Sequence, residues 1–277
     1  MRPQTLSAKN QKIRIQKIRI QRIRIMPKIP IGLQLYTLRE DTANDFAGTL
    51  QKVAAIGYAA VELAGYGDLS IRELSGLLED NHLTVAGSHI ALEKLETDLP
   101  KVIEENLKLG NAHIVVPYLA EDRRKTADDY KKLAETLGGF GETLQTAGMT
   151  LCYHNHDFEF KPMENGQLGE DILLENADPN FVKIEADAYW ILKAGQDPVA
   201  FVKKHPGRVP IVHLKDRDLT DGSFAPVGTG DLPLDALIAA ALEAGTQYFL
   251  VEQDICKGPA IDAVTLSYNN LKAKGYA

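Results

Sequence analysis

The chain of 277 residues predicts an α/β protein, a closed (β/α)8 TIM barrel, and three observations carry that expectation. From residue 31 onward, eight strand-like apolar runs alternate with eight helical patterns, the rhythm of a parallel sheet whose crossovers are helices. Helical patterns repeatedly finish in a residue suited to a left-handed C-cap: Gly57, Asn81, Gly110, Gly148 and Gly245. No glycine-rich phosphate fingerprint follows the first strand, as a doubly wound open sheet would have.

The elements follow in order. The first run, IGLQLY (31–36), leads to NDFAGTLQKVAAIG, with Asn44 as its cap and Gly57 at its end. AAVELA (59–64) precedes SIRELSGLLEDN, opened by Ser70. LTVAGSHI (83–90) and AHIVVP (112–117) precede LPKVIEENLKLGN and ADDYKKLAETLGGFGETLQTAG. MTLCYHNH (149–156) is followed by GEDILLENA, and FVKIEAD (181–187) by DPVAFVKKHP, where Asp197 caps and Pro198 takes the first helical position. VPIVHLK (209–215) and QYFLVEQ (247–253) close the series with LPLDALIAAALEAG and PAIDAVTLSYNNLKAKG. Residues 30–277 therefore read as one barrel domain.

Composition narrows the function. Apolar residues make 44% and charged residues 25% of the chain, values normal for a globular protein. The longest apolar runs are strand-length, about 5–8 residues, which excludes a helical membrane span and a membrane partner. Cys152 and Cys256 lie in apolar strand contexts and read as reduced thiols, so a cytoplasmic location is the default expectation. Nine of the 31 basic residues and none of the acids fall in residues 1–30, leaving 22 bases against 38 acids beyond them, a net of −16. A body that acidic repels phosphate backbones, so nucleic acid is excluded as a partner.

Residues 1–29 form a basic leader containing three tandem five-residue units, QKIRI, QKIRI and QRIRI. Alternation of Ile with Lys or Arg suits an extended, solvated arm, and a period of five matches neither helix nor strand. No apolar stretch with a small-residue cleavage site is present to make it a secretory signal. The preferred reading is a translated repeat upstream of the working start at Met26, dispensable for fold and activity.

Chemistry concentrates where strands end. His154, Asp187, His213 and Glu252 close the fifth to eighth strands, and in a parallel barrel those ends share one face. Imidazole and carboxylate together suit one divalent ion such as Mn, Zn, Co or Mg. Because strand side chains alternate, His156 shares a face with His154, Glu185 with Asp187, Lys215 with His213 and Asp254 with Glu252. Glu62, His89, Lys215 and Trp190 are candidate substrate contacts, each with a plainer alternative: a structural hydrogen bond for Glu62, a salt bridge for Lys215, packing for Trp190 and its neighbour Tyr189. His82, His113 and His205 lie away from the rim. Gly228 and Gly230, in the loop after strand seven, offer a weak phosphate-binding signal.

These segments resemble the xylose-isomerase-like superfamily of sugar isomerases and epimerases, which includes inosose dehydratases and endonuclease-type metal barrels. The resemblance runs over about residues 30–275, through GLQLYTLRED, VELAGYG, AGSH, YHNHDFEF, DAYW, HLKD, GTGDLPLD and VEQD. It implies a metal-dependent isomerase or epimerase acting on a carbohydrate, by proton abstraction next to a carbonyl through an enediolate. Such members hold one ion by Glu, Asp, His and Glu; Asp187, His213 and Glu252 fall on the last three positions and His154 on the first. Glu252, His154 and His156 are then the proton-transfer residues. A His at the first position departs from the two-Glu pattern, and YHNH looks closer to the segment of inosose dehydratases, so a dehydratase or lyase on a keto-sugar or keto-inositol is the second reading. A non-catalytic sugar-binding barrel is the third, and a phosphodiesterase on abasic DNA lacks enough ligands. Barrels of this kind frequently pair, so a homo-oligomer is the protein partner to expect, although no interface signature is present.

Overall fold

The computed structural model describes residues 30–277, so the leader lies outside the described residues. Eight parallel strands close into a barrel in chain order: β1 (Ile31–Gln34), β2 (Ala60–Leu63), β3 (Thr84–His89), β4 (His113–Val116), β5 (Thr150–His154), β6 (Val182–Asp187), β7 (Ile211–Leu214) and, after a small hairpin, β10 (Tyr248–Val251), which pairs with β1. The hairpin, β8 (Asp216–Arg217) with β9 (Phe224–Ala225), occupies the loop after β7. Helices surround the barrel: α1 (Arg39–Asn44), α2 (Phe46–Ile56), α3 (Ile71–Asp80), α4 (Leu92–Lys108), α5 (Ala127–Thr146), α6 (Gly169–Asn176), α7 (Ala188–Lys193), α8 (Pro198–Lys204), α9 (Leu234–Ala244) and α10 (Ala260–Ala273).

The core has two parts. Outward-facing strand residues such as Leu33, Val61, Val212 and Val251 meet the helices, and Leu151, Tyr153 and Val182 do so on the opposite side. Inside the barrel, Ala60, Ala86, Val115, Cys152, Ile211 and Leu250 form a separate buried layer. Above that apolar floor lie the polar side chains Gln34, Glu62, His154, Glu185, Asp187, His213 and Glu252. The floor excludes water from below, so the groups above it meet solvent only at the C-terminal mouth.

Strand ends are shorter than the apolar runs because their last residues turn into caps. Gln34 stops β1 by accepting from Tyr36 N at 2.8 Å, opening a 3-10 turn over Leu35–Leu38. Asp187 stops β6 by capping α7 through Trp190 N at 3.0 Å. Ser70 and Asp197 cap α3 and α8 as expected. The cap of α2 is Asp45, whose carboxylate accepts from Gly48 N, whereas Asn44 ends α1 and donates to Glu40 O. Gly57, Gly110, Gly148 and Gly245 are left-handed; Asn81 is not, and His82 takes that conformation after α3 (φ 54°).

Candidate metal centre and active site

Neighbouring strands deliver one polar layer. His154, Asp187, His213 and Glu252 are buried, and their ligand-grade atoms all lie within 4.8 Å of one another. Asp187 is aimed by its capping role: Oδ1 serves α7, while buried Oδ2 has no hydrogen bond. Lys215 Nζ approaches that oxygen at 2.9 Å as an ion pair, and reaches Glu252 Oε2 at 2.8 Å and Asp254 Oδ1 at 2.9 Å. Asn155 ties the ends of β5 and β6 together, accepting from Asp187 N at 3.0 Å.

Glu252 uses Oε2 for both His213 Nδ1 (2.7 Å) and Lys215, and Oε1 has no hydrogen-bond partner among the described residues. Below the cluster, Glu62 and Glu185 are fully buried and hold the histidines from beneath. Glu62 has room because β3 carries Gly87, where a Cβ would collide with its carboxylate.

Electrostatics follow from burial and neighbours. Burial alone would raise Glu252, but Lys215 and His213 outweigh it and hold the carboxylate well below its usual range. Asp187 is pushed up to about 6 by burial, which Lys215 only partly offsets. Burial, then Lys215, lowers His156 to about 3, so its ring is neutral. Burial, then the charge of His213, lowers His154 as well. His89 goes the other way, to about 10, because Glu62 and Glu185 overcome its burial.

These donors fit a divalent ion. A buried carboxylate oxygen of Asp187 that faces the Lys215 ammonium, two imidazoles and a second carboxylate converge at the floor of a cavity of about 770 Å³ lined by His89, His154, His156, Lys215, Glu252 and Asp254. A family model described as xylose isomerase-like TIM barrel matches residues 50–265. The chain belongs to that family. An inosose dehydratase of Bacillus anthracis is 23% identical over 252 residues, covering 76% of this chain and 83% of the relative. A sugar phosphate isomerase/epimerase structure from Parabacteroides distasonis aligns with TM-score 0.81 and 26% identity, covering 91% of this chain and 96% of that one. The IOLI protein, solved with a zinc atom, aligns with TM-score 0.70 and 18% identity over 90% of this chain and 99% of its own, a likeness of fold.

Within this xylose isomerase-like barrel, the four expected ligands meet. Glu62 does not reach substrate space: it is sealed beneath the histidines, bonded to Gln34 Nε2 at 2.7 Å and His213 Nε2 at 2.8 Å. Lys215 lines the cavity yet is engaged by three carboxylates. Trp190 packs on His156 and Phe224 and does not line the main cavity. His89 does line it, although Nε2 is taken by Glu185 at 2.8 Å. His113 is a core histidine bonded to Ala86 O; His82 and His205 lie away from the mouth.

The Gly228–Gly230 signal has a structural cause. Their N–H groups and that of Leu232 donate to the carboxylate of Asp216, each at 2.9 Å. An internal carboxyl group therefore occupies the place proposed for a phosphate. Cys152 is in the barrel floor, while Cys256 is half-buried in the loop after β10 and not in a strand. Sequence reasoning undervalued Glu185 and Asp254, which the alternation had placed beside Asp187 and Glu252, and missed Gln34.

Proposed function

We propose that this barrel removes a proton next to the carbonyl of a polyhydroxylated keto compound, a keto-sugar or keto-inositol, and expels a neighbouring hydroxyl as water. The carrying observation is the inequality of the groups facing the cavity. Glu252 is held ionised with Oε1 free, whereas His154 and His156 are held neutral. Epimerisation across two faces needs one group to take a proton while another holds one ready to give. A neutral imidazole gives up its N–H proton far less readily than an imidazolium. The protonated groups lining the cavity, His89 and Lys215, are held by buried carboxylates. Single-base chemistry remains: the Glu252 carboxylate takes the proton, and the resulting acid returns it to the hydroxyl leaving from the same face.

A carboxylate is a weak base toward carbon, so the substrate carbonyl must be polarised. A divalent ion held by His154, Asp187, His213 and Glu252 would supply that Lewis acidity, and the zinc in the IOLI protein supports the reading; Mn, Zn, Co and Mg all suit the donors. Relatives named inosose dehydratase support the dehydration step. Isomerisation by the same single base is the second reading, favoured by the likeness to the Parabacteroides sugar phosphate isomerase/epimerase.

The test is incubation with keto-inositols, oxidised sugars and ketoses in deuterated buffer with added Mn, followed by mass spectrometry. Loss of water supports the dehydratase, and chelation should abolish it. Deuterium at one carbon without loss of water selects the isomerase. Binding without turnover across the panel leaves the non-catalytic barrel.

A further inference from the structure

Lysine and arginine each contribute one side chain to the main cavity: Lys215 at its floor and Arg39 at its mouth. We propose that Arg39 is an oxyanion subsite. The substrate is then a keto compound that also carries a carboxylate or phosphate, bound with its carbonyl at the floor and this anion at the mouth. The placing of the carbonyl rests on the keto-compound reading above.

The chain sets Arg39 in position locally. Gln34 ends β1 and opens the 3-10 turn Leu35–Leu38, which α1 continues from Arg39. With about three residues to such a turn, positions i and i+3 eclipse, so Arg39 falls over Tyr36. Its guanidinium carbon lies 4.5 Å from the Tyr36 ring centroid, and Nη1 donates to Tyr36 O at 3.0 Å. The stack and this bond together fix the plane of the group. Nε–H and Nη2–H, the two donors on its other edge, have no partner among the described residues. Side by side, they match two oxygens of a carboxylate or phosphate.

Neighbouring cations are already taken. Among the described residues Arg39 forms no ion pair, whereas Lys215 meets Asp187, Glu252 and Asp254 at 2.9, 2.8 and 2.9 Å. Lys257 pairs with Asp218 and Asp221. Arg124 donates from Nε to Leu119 O and from Nη2 to the Tyr118 hydroxyl, and so holds that ring at the mouth. Arg39 also lines a smaller cavity of about 380 Å³ with Glu40 and Asp41. Neither acid lines the main cavity, so an anion meets the guanidinium from the main cavity. Tyr36 and Tyr118, both exposed, flank that opening and offer flat faces to the carbon chain between the two ends of the substrate. With the floor ammonium compensated, the carbonyl and hydroxyls go inward and the anion stays outward.

The probes are glucose, glucuronate and glucose 6-phosphate, titrated by calorimetry into the full chain with Mn present. At least one anionic sugar should bind about 10–100-fold tighter than glucose, the range for a hydrogen bond to a charged group. Arg39→Met should abolish that preference, and added salt should shrink it. The larger of the two preferences tells carboxylate from phosphate. Equal affinities for the three sugars, no binding of either anion, or a preference that persists in Arg39→Met overturns the subsite. Arg39 is exposed, so the variant should melt with the wild type. Should it fail to fold, a wild-type preference that is absent or indifferent to salt overturns the subsite by itself. An anion preference with no turnover of any keto compound sinks the keto-compound reading and leaves the subsite standing. Dehydration of neutral keto-inositols without an anion preference does the reverse.

Discussion

Two buried polar clusters sit on either side of β5 and handle charge in opposite ways. Inside the barrel, Asp187, Glu252 and Asp254 surround Lys215, and Glu62 and Glu185 pair with histidines. Outside it, between β5, α5 and α6, Glu159 accepts from Tyr153 Oη at 2.6 Å and His156 N at 2.8 Å, while Glu170 has no partner for either oxygen among the described residues. Tyr130 Oη nearby also lacks a partner among the described residues. Burial raises Glu159 to about 7 and raises Glu170 further beyond its ordinary range, aided by the charge of Glu159. Cations hold Glu62 and Glu252 below the usual carboxylate range despite their burial, whereas in the outer cluster Glu159 is partly protonated at neutral pH and Glu170 keeps its proton. A buried carboxylate's charge state is decided by its neighbours, and only the inner cluster is built for a cation.

Breaking the inner cluster should have the largest effect. Glu252→Gln should keep the fold and lower turnover by about 10²–10⁴-fold, the range for removal of a general base; a wild-type rate in steady-state kinetics removes Glu252 from the mechanism. His213→Ala should lower both rate and bound metal. Unchanged metal content by elemental analysis would relocate the site.

Lys215→Met sharpens the comparison. It leaves three carboxylates without their ammonium, and loss of one buried partner costs about 3–5 kcal/mol. The destabilisation should be greater in chelator than with zinc, because a bound cation partly replaces the lost charge; equal losses in both melts would contradict this.

The outer cluster predicts a smaller effect of opposite sign. Below its unfolded value of 4.5, Glu170 is neutral in both states and imposes no ionisation penalty. As pH rises past that value the unfolded chain releases its proton while the fold retains it, so native stability declines. Glu170→Met should remove this decline and stabilise the fold by about 1–3 kcal/mol, the cost of an unsatisfied buried polar group. A variant melting below wild type at neutral pH would show that the carboxyl is needed.

Much of this was legible in the linear pattern. Strand and helix periods with their caps pointed to eight repeats, and a repeat of that kind closes only one way. Strand alternation then placed His154, Asp187, His213 and Glu252 on the mouth, because a residue at a parallel strand's end has one face to open onto.

Other features depended on contacts between distant segments. A register shift opposite Val61 and Glu62 lets β3 turn Ala86 inward, Ser88 outward to Asn106 and His89 inward again, which simple alternation forbids. The filling of the Gly228–Gly230 loop by Asp216, the retreat of Glu62 beneath the histidines and the capture of Lys215 likewise arise from partners many residues away. Local period is written along the chain; the pairing of buried charges is settled only when the barrel closes and water is excluded from its floor.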